Sequence, residues 1–147
     1  MLGLLHLVIW CRDLSSWANW WFFLAVLGVV GVMACEVVTM HARVPEVYAA
    51  GLRYGHLAYL FGVVGIVGFV HCNFGTGRRW LLWLAVALRV AAVVANFTTG
   101  QSLHVTKVLG LGQMDFLGET VTILGKWEPN RWVLLGQTAS LVLVAYI

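Results

Sequence analysis

The chain has 147 residues, of which 61% are hydrophobic and 10% charged, and its mean hydropathy is +0.89. Such a chain cannot cover itself with a water-facing surface, so the composition points to an integral membrane protein. Nine Lys and Arg against six Asp and Glu is too slight and too scattered an excess for a nucleic-acid binder; the positive charges read as topology signals.

Met1 to Trp10 is apolar but has neither a charged leading region nor a small-residue cleavage site, so it does not read as a cleavable signal. It reads instead as the final turns of a helix that begins upstream. A polar loop, Cys11 to Ser16, leads to Trp17 to Met40, the first of three runs of roughly 20 residues that suffice to cross a bilayer. The second is Leu52 to Cys72, after a loop from His41 to Gly51 containing Pro45 and Glu46. The third is Trp80 to Thr99, after a turn with Gly75, Gly77 and the pair Arg78-Arg79. Trp132 to Ile147 is a last apolar run, short of the ~17 residues a span needs. The expectation is an all-α, polytopic membrane helix bundle of about five transmembrane helices, the first and last truncated. Residues 1–147 would form one membrane-embedded domain of a longer protein.

Trp10, Trp17, Trp20, Trp21, Trp80, Trp83 and Trp132 lie mainly near the ends of runs, where amphipathic rings favour the headgroup layer. The density of charge in the tight Gly-Thr-Gly-Arg-Arg turn places that turn in the cytoplasm, because short loops obey the positive-inside rule best. Residues 100–131 then fall outside. This segment is long and apolar, so it is expected to fold as a lid on the extracytoplasmic face. Within it Glu119 to Ile123 alternates like a short strand, and Glu128-Pro129-Asn130 reads as a turn.

Arg89 stands in the middle of an otherwise apolar run, Trp80 to Phe97, with Asn96 two helical turns further on the same face. A guanidinium at the centre of a span costs at least ~2.5 kcal/mol unless a partner or water answers it, so that face belongs to the interior. With Glu36 and His56 estimated in the outer third of their own spans, the four residues Glu36, His56, Arg89 and Asn96 form a candidate ligand-binding cluster beneath the lid. The structural alternative is a buried Glu36–Arg89 ion pair, with His56 and Asn96 satisfying neighbouring helix backbones. At ~1.5 Å per residue Glu36 and Arg89 differ by ~10 Å in depth, so such a pair needs the arginine to reach outward.

Two further readings concern histidine and glycine. His6 and His71 both lie near cytoplasmic ends and are the candidate ligands if the bundle holds a b-type haem; otherwise no cofactor is expected. Gly55, Gly62, Gly65 and Gly68 leave a groove for close helix approach, with Gly28 and Gly31 suggesting the partner. The cysteines Cys11, Cys35 and Cys72 have no CxxC spacing and read as packing residues. No HExxH, GxSxG, Walker A or Rossmann pattern is present, and no catalytic residue is assigned. A transporter is disfavoured because no proline interrupts a run.

Taken in order, Leu5-His6-Leu7, Trp10, Ala34-Cys35-Glu36, Leu52-Arg53-Tyr54-Gly55-His56, Gly75-Thr76-Gly77-Arg78-Arg79-Trp80, Leu88-Arg89, Ala95-Asn96-Phe97, Phe116-Leu117-Gly118-Glu119 and Trp132 to Gln137 form a pattern. It resembles the membrane sensor region at the amino end of proteobacterial PAS-containing sensor histidine kinases. The chain departs from that pattern at Gln101-Ser102-Leu103-His104, where an Asn-rich stretch is usual, and it contains no PAS or kinase residues. The resemblance implies a signal-input domain of the inner membrane, paired as a homodimer. A small-molecule stimulus or a membrane state would shift its helix packing and so act on PAS and kinase domains that follow in the cytoplasm.

Overall fold

A computed structural model describes residues 1–75 and 78–146. Its elements in chain order are α1 (Leu2–Arg12), α2 (Trp17–Met40), α3 (Pro45–Phe74), α4 (Arg79–Thr98), β1 (Val105–Phe116), β2 (Glu119–Pro129) and α5 (Val133–Tyr146). Three of these helices, α2, α3 and α4, are long and apolar enough to cross a membrane; α1 and α5 are shorter apolar helices. Thr76, Gly77 and Ile147, part of the expected turn and the end of the last run, lie outside the described residues.

The chain is mostly helical but not all-α. The expected lid is an antiparallel hairpin of two long strands, with Phe116 paired to Glu119 across a two-residue turn. Both turn residues, Leu117 and Gly118, have positive φ, the backbone that lets a two-residue turn match the twist of its strands. An isolated hairpin is marginal by itself, and this one is docked. Val105 and Val108 pack with Ala49 near the start of α3, where Tyr48, Leu52, Leu111 and Leu124 complete the cluster. The Thr122 hydroxyl donates to the Ala42 carbonyl at 2.8 Å. The hairpin therefore rests on the end of the bundle where α2 finishes and α3 begins.

α3 starts seven residues before the expected Leu52. Pro45 fits the first helical turn, where its missing N–H is not needed, and Glu46 suits the positive end of the helix dipole. Gly75, with φ of 58°, closes the helix in the left-handed conformation.

α2 and α3 meet along a row of small residues. A Cβ on Gly28 would run into the Gly62 backbone, one on Gly65 into the backbone at Ala25, and one on Gly31 would sit 2.8 Å from the Ala58 side chain. These helices touch backbone to backbone, as the glycine spacing implies. On the other side of α3, Val63 and Val67 pack with Leu143 and Tyr146 of α5 and with Leu81, Leu82 and Val86 of α4. This cluster closes the end of the bundle opposite the hairpin.

Candidate functional site

Between the α2–α3 pair and the α4–α5 pair lies a cleft of about 690 Å³, within the ~300–1,000 Å³ usual for small-molecule sites. Its walls bring together Glu36 of α2, His56 and Tyr59 of α3, Arg89 of α4, His104 of the connection to β1, and Gln137 of α5. Three of the four residues expected to cluster, Glu36, His56 and Arg89, line this one space.

Arg89 is positioned by the small-residue face of α4. Ala85, Arg89, Ala92 and Asn96 recur at helical spacing and are all buried, Arg89 to 5% exposure. Its guanidinium carbon lies 3.8 Å from the centre of the Tyr59 ring, a cation–π contact. Opposite it α5 has Gly136, whose missing side chain leaves room for Leu103: a Cβ there would lie 2.7 Å from Leu103 Cδ2, and 3.8 Å, an ordinary contact, from Arg89 Nη1. Among the described residues the buried Arg89 Nε has no hydrogen-bond partner. The ion pair with Glu36, the structural alternative weighed in the sequence, is absent among the described residues. Glu36 is exposed, and it shares the cleft-facing stripe Val32, Cys35, Glu36 and Thr39 with residues packed at the level of Gly51 and Gly55.

His56 faces an imidazole that sequence reasoning left out of the cluster. Its ring and that of His104 are 4.8 Å apart between centroids. Partial burial, and after it the Arg89 charge, hold the His104 imidazole below the usual histidine range. His104 is placed by its backbone, whose N–H donates to the Ser102 hydroxyl at 3.2 Å. Only a fold that returns residues 100–105 to the helix ends brings it here, so no spacing in the sequence announces it. Gln137 and Ser140, one turn apart on α5, were missed for a plainer reason: polar residues in a short apolar run look like ordinary packing groups.

Asn96 has a different task. Fully buried, it donates through Nδ2 to the Arg53 carbonyl at 2.9 Å and accepts at Oδ1 from the Leu103 N–H at 2.7 Å. Both ends of its amide are spent on backbone, which leaves it outside the cleft. This is the structural role weighed for it in the sequence. Arg53 adds bonds to the Gln101 carbonyl at 3.0 Å and to the Gly100 carbonyl. Asn130 donates to the Ser102 carbonyl at 2.9 Å and accepts from the Trp132 N–H at 3.1 Å. The connection from α4 to the hairpin is thus a hydrogen-bonded plate, and it presses the fully buried Leu103 against Gly136.

His6 and His71 do not line the cleft. His6 Nδ1 is 2.7 Å from Asn19 Oδ1 and its ring lies 4.1 Å from that of Phe22, while His71 Nδ1 is buried without a partner. Among the described residues no group of three or more His, Cys, Asp or Glu is gathered as a metal would require. All three cysteines are free.

No protein-family model, curated protein or solved structure matches this chain. Its site is therefore read from its own residues.

Proposed function

We propose that the chain is the signal-input membrane domain of a two-component sensor histidine kinase, five membrane helices with an extracytoplasmic hairpin, held in a bacterial inner membrane as a homodimer. The reading rests on one observation above the rest. α5, the helix that would lead to the cytoplasmic PAS and kinase domains, supplies a whole wall of the cleft through Val133, Gly136, Gln137, Ser140, Leu141 and Val144. A stimulus entering the cleft touches the output helix directly. It shifts the packing equilibrium by as much as it prefers one position of α5 over another.

The same arrangement gives the polar residues separate tasks. Arg89, His56 and His104 meet the stimulus, Glu36 lines the same cleft from α2, and Asn96 keeps the roof in register. In the parent protein, reconstituted in vesicles, Arg89→Gln is expected to freeze autophosphorylation at one level across stimulus conditions. A normal response from that variant would defeat the reading.

A b-type haem protein is the second reading, and the unpartnered His71 Nδ1 is what favours it. Absorption spectra of protein expressed with abundant haem decide it, since a Soret band that disappears in His71→Ala is the outcome it requires.

A further inference from the structure

The cleft is polar at one level and apolar at the next. Arg89, His56, His104 and Gln137 line it near the start of α5, whereas Leu141 and Val144, one and two turns further along α5, stand on its wall at 70% and 74% exposure. Those two side chains belong both to the cleft and to the exposed surface of an apolar helix, so the space opens laterally, toward acyl chains if α5 lies in a membrane.

We propose that the cleft takes a single-chain, membrane-dissolved carboxylate of the fatty-acid class, with its head group on the Arg89 guanidinium beside His56 and His104 and its chain leaving past Leu141 and Val144. The inference deepens the input-domain reading and rests on it for its consequence.

Three considerations select this class. First, Arg89 is a buried cation that no carboxylate answers among the described residues, where its Nε has no hydrogen-bond partner either. An anionic head group supplies both the charge and the acceptors, and a guanidinium fits a carboxylate through two parallel bonds. A neutral quinone or alcohol would supply acceptors only. Second, two imidazoles 4.8 Å apart line the same cleft as the guanidinium and add hydrogen-bonding groups to it. Third, about 690 Å³ suits one small molecule, and the apolar exit lets a longer chain continue outside the cleft.

Glu36 gives the proposal a sign that can be checked. It lines the same cleft, so it repels an incoming carboxylate and is indifferent to a neutral ligand of the same length.

The test uses this chain in nanodiscs of zwitterionic lipid, with radiolabelled palmitate as the probe and hexadecanol, a decyl quinone and phosphatidylglycerol as competitors. Palmitate is expected to bind saturably and to be displaced by neither neutral compound nor phosphatidylglycerol. Arg89→Gln should weaken binding about tenfold or more, the scale of a lost charge-assisted bond, and Glu36→Gln should tighten it. Val144→Trp, at an exposed position where the fold is not at stake, should block the chain's exit and lower affinity for palmitate more than for a short-chain acid.

Equal competition by hexadecanol, unchanged binding in Arg89→Gln, or displacement by phosphatidylglycerol would overturn the proposal. Because binding is read on this chain alone, its failure removes the ligand class, whereas an unresponsive kinase with intact palmitate binding removes the relay.

Discussion

Toward α2, α3 presents Gly62 and Gly65, and the two backbones meet with no side chain between them; toward α4 and α5 the same helix presents His56 and Tyr59 to a cleft. One helix thus borders a joint with no slack and a space that can be filled. In a bilayer, where lipid is as apolar as leucine, close backbone approach is what makes a helix pair adhere. Few packed atoms, and a charge unanswered among the described residues, leave the other side with less to hold it in one arrangement. The lesson is that a tight joint and an open space lie side by side along α3, the space reaching Gly51 and Gly55 where α2 also packs.

The contrast can be broken most severely at the tight joint. Gly28→Val puts a branched side chain into the Gly62 backbone, and a loss of about 3 kcal/mol is expected in a denaturation titration in detergent. A harmless Gly28→Val would mean that α2 and α3 slide freely. Next in size is Asn96→Ala. It leaves the Leu103 N–H and the Arg53 carbonyl without their partner and should cost about 2 kcal/mol, with faster amide exchange at Leu103.

Arg89→Met sharpens the comparison from the other side. Because no carboxylate among the described residues answers Arg89, the variant's stability is expected to stay within about 1 kcal/mol of the parent, the lost contact with Tyr59 being offset by the removed buried charge. A loss of ~3–5 kcal/mol would reveal a true ion pair.

The smallest effect is with pH. The folded His104 imidazole titrates below its unfolded value of about 6.5, so the unfolded chain takes up the proton first. Its contribution is complete above about pH 6.5 and is lost as pH falls through the folded value. His104→Asn should flatten that acid-side slope in thermal melts without changing stability at pH 8. An unchanged slope would take His104 out of the comparison.

Much of this was legible before any coordinates. α2 runs from Trp17 to Met40 as read, because a bilayer-length apolar run with flanking polar turns leaves few alternatives. The glycine groove was legible too, since small residues at helical spacing have little other use. The start of α3 was misplaced because Pro45 and Glu46, which also suit a loop, there begin a helix. β1 went unseen because register shifts between Val105 and Leu111 break its alternation, whereas the more regular Glu119 to Ile123 was caught. For the site, Arg89 stood out by its cost in lipid. His104 depended on a chain reversal held by Asn96, Ser102 and Asn130, and such long-range bonds leave no periodic trace.

Leu103 has its backbone fastened by Asn96 and its side chain set against Gly136, close to where α5 begins. A rod held near one end and bordered by empty volume farther along tilts about the held point more easily than it slides. Under the proposed input-domain reading Leu103 is a fulcrum, and a push at Ser140 or Val144 would become an angular swing of the far end of α5, with the Leu143 and Tyr146 contacts as the stop to be left.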